Sequence, residues 1–76
     1  MEVFPGISMD PDVRFEKPCI AGTRIDVATI VGVLAAGEMI ETVAEEYALS
    51  AAQVRSALAY VAHVLAHLPP AVRQAS

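Results

Sequence analysis

Tryptophan is absent, cysteine occurs once, and cations are scarce in this chain of 76 residues. Lone Cys19 cannot close an intrachain disulfide, so the chain is not a small secreted scaffold that replaces a core with cross-links, and a reducing, cytoplasmic setting is expected. No group of Cys and His has the spacing of a structural zinc site. Five Lys and Arg against nine Asp and Glu give a net charge of -4, the wrong sign for general adhesion to nucleic acid or anionic lipid. Any DNA contact must therefore be local. Long hydrophobic runs are missing as well: the most apolar stretch, 27–37, is about half the roughly 20 residues that a membrane span takes, and the next, 57–68, is interrupted by His63 and His67. Met1-Glu2-Val3-Phe4-Pro5 lacks the basic start and apolar core of a signal peptide, so export by that route is not expected. Nothing resembles a phosphate loop, a nucleophile elbow or a paired-carboxylate hydrolase site. These absences lead us to expect a protein that is not an enzyme and takes no cofactor.

What is abundant is small apolar side chain. Hydrophobic residues make up 55% of the chain, with 14 Ala and 10 Val. At 8.0 kDa there is room for one domain, and a chain this short buries only about 60% of the surface that it exposes when unfolded. An apolar fraction this high exceeds what so small an interior can hide, so part of it should face another chain, and a homodimer or higher even oligomer is expected.

The chain changes character near residue 26. Before it, Pro5, Gly6, Pro11, Pro18 and Gly22 break up short β-favouring runs at 7–9, 13–15 and 19–21. Asp10-Pro11-Asp12 is turn chemistry, and Gly22 allows a positive φ, which predicts a hairpin or tight corner at Ala21-Gly22-Thr23. After it, helix formers dominate. Asp26 is a suitable N-cap for a first helix over 27–36, and Gly37 is a suitable left-handed residue to end it. That helix is apolar around much of its circumference, with Val27, Ile30, Val31 and Leu34 on one stripe and Val33 pointing elsewhere, which makes Val33 and part of the strand-rich half candidate dimer contacts. A second helix over 40–47 sets Ile40, Val43, Ala44 and Tyr47 opposite Glu38, Glu41, Glu45 and Glu46. Ser50-Ala51-Ala52-Gln53 has capping-box spacing and opens a third helix, whose stripe of Val54, Leu58, Val61, Leu65 and Leu68 runs until Pro69-Pro70. The reading is one α+β domain over 1–76: strands and turns, with a short hairpin, over 1–25, a three-helix bundle over 26–68 and a tail over 69–76.

The second and third helices, joined by Ala48-Leu49-Ser50, match the helix-turn-helix plan. In a reading helix the leading side chains would be Ser50, Gln53, Arg55 and Ser56, with Gln53 suited to adenine and Arg55 to guanine or phosphate. Only one of them is cationic, and residues 38–60 hold four Glu against one Arg, a field that opposes phosphate. Helical packing without DNA reading therefore outweighs direct recognition. His63 and His67 could share a metal across one helical turn, but without a third ligand at a telling distance the structural reading is favoured and no metal is assigned. Cys19 lies among apolar residues with nothing beside it to stabilise a thiolate, so a packing role is expected. The row of Glu on the second helix reads first as a solvated face. Arg24, with Gly22 and Thr23, belongs to a structural turn, and its guanidinium is expected to fasten the two halves by pairing with Asp12 or Glu16.

Ile7-Ser8-Met9-Asp10-Pro11 followed by Lys17-Pro18-Cys19-Ile20-Ala21-Gly22-Thr23-Arg24-Ile25 resembles the signature of the small prokaryotic family called domain of unknown function 433. Leu34-Ala35-Ala36-Gly37 and Ala57-Leu58-Ala59-Tyr60 fit the same pattern. Three positions depart from it: Glu16 stands where a Gly often precedes Lys-Pro, Asp26 replaces a frequent Pro, and Met39 replaces the usual Ser or Thr cap. The family is similar to VapB-type antitoxins. The resemblance implies a short β element followed by a winged-helix or homeodomain-like bundle, and a PIN-like ribonuclease toxin as partner. It also implies a contribution to operator DNA binding. The acidic cleft of such a toxin attracts cations, which makes Arg14, Lys17 and Arg73 the candidate toxin-binding residues. A stand-alone helix-turn-helix transcriptional regulator is the alternative.

Overall fold

A computed structural model describes residues 1–10, 12 and 17–69 of the chain. Three strands, β1 (Glu2–Phe4), β2 (Ile7–Ser8) and β3 (Cys19–Ile20), form an antiparallel sheet in the order β1-β2-β3, followed by helices α1 (Val27–Ala35), α2 (Ile40–Glu46) and α3 (Ala51–Ala66). The α+β order expected from the sequence is the order found. β1 was not foreseen, because Pro5 and Gly6 masked its pairing with β2 through a two-residue turn. The expected strand over 13–15 lies outside the described residues.

Gly6, at φ +84, lets the chain reverse between β1 and β2, and a Cβ there would sit 3.0 Å from the Ser56 hydroxyl of α3. The glycine thus serves both the turn and the approach of sheet to helix. β2 and β3 pair with Ile7 opposite Ile20 and Ser8 opposite Cys19, so both isoleucines point to one face, where they are fully buried. Beyond β3 the chain turns at Gly22, φ +80, and comes back along its own path: Ile20 N donates to the Ile25 carbonyl at 2.9 Å and Val27 N to the Pro18 carbonyl at 2.9 Å. Asp26 bridges Cys19 and caps α1, its carboxylate accepting from Thr29 N at 2.9 Å.

The helix ends follow local chemistry. α1 stops in a Schellman motif, Gly37 N donating to the Leu34 carbonyl at 3.0 Å and Glu38 N to the Val33 carbonyl at 3.4 Å, with Gly37 at φ +109. α2 begins at Met39 without a side-chain cap. It ends in the same motif as α1, with Ala48 N on the Glu45 carbonyl and Leu49 N on the Ala44 carbonyl, but the left-handed position is held by Ala48 at φ +55. α3 opens with both halves of the capping box.

Ile7, Ile20, Val27, Ile30, Val43, Ala44, Val54 and Ala57 form one core cluster drawn from β2, β3 and all three helices. Each fully buried Ile or Val contributes about 1.5–3 kcal/mol. The stripe expected on α3 is corrected at two positions. Leu58 and Leu65 are 37% and 55% exposed, because α1, α2 and the sheet cover the face carrying Val54 and Ala57. Val33 is half-buried against the core and so does not form a separate outer surface.

Two substitutions of opposite sign test this account of the turns. Gly37→Ala should destabilise by about 1 kcal/mol, and Ala48→Gly should stabilise by up to about 1 kcal/mol, since the left-handed conformation costs an L-residue roughly 1–2 kcal/mol. Urea denaturation of the three proteins checks both signs.

Candidate interaction faces

The expected DNA-reading residues sit together at the start of α3, and three of the four are engaged within the fold. Ser50 Oγ accepts from Gln53 N at 3.1 Å, and Gln53 Oε1 accepts from Ser50 N at 2.8 Å. Ser56 Oγ donates to the Ala52 carbonyl at 3.1 Å and packs beside Gly6. Arg55 is exposed. Gln53 keeps its NH2 group and one lone pair of Oε1 for an outside partner.

A second, acidic face lies on α2. The Glu46 carboxyl is pushed above the usual carboxylate value by the hydrogen bond that its protonated form donates to the Glu38 carboxylate, then by the Glu38 charge, with smaller contributions from desolvation and Glu45. Glu38, just before the start of α2, and Glu46, at its end, are thus electrostatically coupled.

A polar cleft of about 400 Å³ lies beside the β2–β3 ladder, with Ser8, Asp10, Lys17, Cys19, Thr23 and Arg24 in its lining. The turn beneath it is stiff. Thr23 N and Thr23 Oγ1 both donate to the Ile20 carbonyl, at 3.0 and 2.8 Å, and the same hydroxyl accepts from Ile25 N at 3.0 Å. Arg24 rises from this turn exposed. Of the two partners expected for it, Asp12 is not paired with it, nor is any other carboxylate among the described residues, and Glu16 lies outside them. Lys17, exposed, faces the same cleft. Arg14 and Arg73 lie outside the described residues. Asp10 was not anticipated in the cleft; its Oδ1 accepts from Asp12 N at 2.9 Å, as the Asp-Pro-Asp turn chemistry suggests.

A fourth face is apolar. A groove of about 520 Å³ runs between α1 and the second half of α3, floored by Ala28, Gly32 and Ala35 and edged by Val61, Val64 and Leu65. No charged residue lines it. A Cβ at Gly32 would meet nothing within 4 Å, so the floor is open rather than filled from within. The sequence signal for this face was the uncharged length of α1, but which residues form the floor depends on how α3 crosses it.

His63 and His67 stack at 4.3 Å between ring centroids, and Phe4 covers His63 at 5.0 Å. The His67 Nδ1–H donates to the His63 carbonyl at 2.7 Å. Among the described residues no group of three or more His, Cys, Asp or Glu is placed to hold a metal. Cys19 is buried, in keeping with packing. No helix among the described residues is long and apolar enough to cross a membrane.

A three-stranded sheet leading into three mutually packed helices, without a deep enclosed cavity at any of these faces, defines a small α+β module that presents surfaces. The family model described as protein of unknown function (DUF433) matches residues 7–61, and the chain belongs to that family. It is similar to the crystal structure of Rv2018 from Mycobacterium tuberculosis, with a TM-score of 0.62 and 33% identity over 68% of this chain. The match covers 24% of that protein, so this chain spans about a quarter of its length. No curated protein matches the chain.

The Glu38–Glu46 contact has a pH signature. Because the folded state raises the Glu46 pKa, it holds the proton more tightly than the unfolded chain does. The stability contribution is therefore greatest at acid pH and falls as pH rises through the ordinary Glu range to the raised value. Glu38→Gln should lower the Glu46 titration midpoint and flatten this fall, which carboxyl-carbon NMR and melting curves at several pH values will read.

Proposed function

We propose that this chain is an antitoxin-type binding protein that pairs with a second copy of itself, docks on a PIN-like ribonuclease toxin and blocks its catalytic cleft in the cytoplasm. The observation that carries a binding role is the uncharged groove between α1 and α3, left open while Val64 and Leu65, 38% and 55% exposed, stand at its edge. A hollow floored by Ala and Gly beside protruding Val and Leu is self-complementary in shape, as a two-fold contact requires. The toxin as partner comes from the family resemblance and from the few cations available to enter an acidic cleft. A contribution to operator binding is part of the proposal and rests on Arg55, exposed at the head of α3. Direct reading of DNA as the main role ranks second, since Ser50, Gln53 and Ser56 already serve the helix cap and the sheet contact.

Sedimentation at tens of micromolar should show a dimer, and Leu65→Asp should return it to monomer with little change in melting temperature, because Leu65 is already more than half exposed. A strictly monomeric wild-type protein would count against the pairing. In the functional assay, the chain in excess should suppress RNA cleavage by a PIN-like nuclease sought among the products of neighbouring genes, and absence of any such nuclease that binds the chain would sink the antitoxin reading. Binding of the isolated protein to operator DNA should be weak, steeply salt-dependent and further weakened by Arg55→Ala. Tight binding at physiological salt that ignores Arg55 would place the DNA surface elsewhere.

A further inference from the structure

We propose that the polar cleft beside β3 is a recognition site for a side-chain carboxylate of a partner protein, with the Arg24 guanidinium and the Lys17 ammonium as its ligands. Only the identity of the partner rests on the antitoxin reading; the site stands on its geometry.

Arg24 is an arginine with a fixed base whose head is exposed. The turn that carries it is closed by the hydrogen bonds of Thr23, Ile20 and Ile25, and its two ends run into β3 and into the Val27–Pro18 hydrogen bond that precedes α1. The guanidinium itself has no acceptor among the described residues. Lys17 is held similarly: it precedes Pro18, whose ring fixes φ and whose carbonyl is tied to Val27 N, and its own carbonyl accepts from Cys19 Sγ at 3.5 Å. Pinning the backbone under two long cationic side chains lowers the entropy lost when a ligand orders their tips.

The charge balance selects the ligand. Among the described lining residues Lys17, Arg24 and the Met1 ammonium outweigh Asp10, a positive excess that suits a carboxylate, which Arg can grip with two parallel hydrogen bonds. A nucleic acid strand carries a charge on every phosphate, and here it would meet Asp10 in the cleft and a chain of net charge -4 around it. A volume of about 400 Å³ accommodates an Asp or Glu side chain together with its immediate neighbours.

The test uses the full chain labelled with nitrogen-15, the Arg24 and Arg55 Nε–Hε signals being followed at low salt. The probes are a capped hexapeptide rich in Glu and, separately, a single-stranded hexanucleotide. The peptide should shift Arg24 and the Cys19 amide and leave Arg55 unmoved, and Arg24→Gln should abolish the Cys19 response. Equal shifts at both arginines, no shift at Arg24, or a stronger response to the oligonucleotide would overturn the proposal. With the PIN-like nuclease, Arg24→Glu should raise the concentration needed for half-inhibition about tenfold or more, whereas Arg55→Glu should not. The melting temperature of both variants should match the wild type, since neither side chain has a partner among the described residues. If Arg24→Glu lowers it, Arg24→Lys, which keeps the charge, should recover folding and part of the inhibition; full inhibition by a folded Arg24→Glu protein overturns the site. A wild-type chain that fails to inhibit removes the antitoxin reading and leaves the peptide result to decide the cleft.

Discussion

The short segment around Asp26 is the joint on which the two halves depend. Its carboxylate caps α1 while its backbone pairs with Cys19, and the next residue, Val27, donates to Pro18. Three strands of two or three residues are too few to be stable alone, and a nine-residue helix is marginal in water by itself. Tying β3 to the first turn of α1 lets each half supply the hydrophobic face that the other lacks, with Ile7 and Ile20 meeting Val27, Ile30, Val54 and Ala57 in one cluster. The Asp there supplies a hydrogen-bond acceptor at the positive end of the helix dipole.

So small an interior has consequences outside it. Once the core has taken its share, α1 still presents Ala28, Gly32 and Ala35, and α3 carries Val64 and Leu65 past the point where other elements can cover them. The polar groups are used sparingly in a complementary way. Ser50, Gln53, Thr23 and Asp26 are all spent on caps and turns, which leaves Lys17, Arg24 and Arg55 as the exposed cations of the described residues. Recognition of outside molecules is thereby divided between an uncharged groove and a few fixed positive charges, with the Glu row of α2 turned to solvent.

Belonging to the DUF433 family accounts for the match over residues 7–61, and the structural details locate where family pattern and physics coincide. The Gly22-Thr23-Arg24 turn is stiff because Gly22 takes a positive φ and Thr23 uses its hydroxyl both as donor and acceptor. Those two residues explain the turn completely without Arg24. Arg24 itself is exposed, with no carboxylate partner among the described residues. The similarity to part of Rv2018 is compatible with a module that works either alone or joined to further chain.

The sequence by itself determined the features governed by neighbours within about four residues. Asp26 as N-cap, Gly37 as helix stop, the Ser50–Gln53 capping box and the turn at Gly22 were all legible, because the groups that satisfy one another there are adjacent in the chain. The order of strands before helices was legible for the same reason. Contacts between distant segments were decided only by tertiary structure. Among these are the pairing of β1 through the Pro5-Gly6 turn, the register that sets Ile7 against Ile20, the choice of Ala57 over Leu58 for the core, and the isolation of Arg24 from Asp12. Each depends on how whole elements cross in space, and periodicity marks which residues share a face without saying which face will find a neighbour.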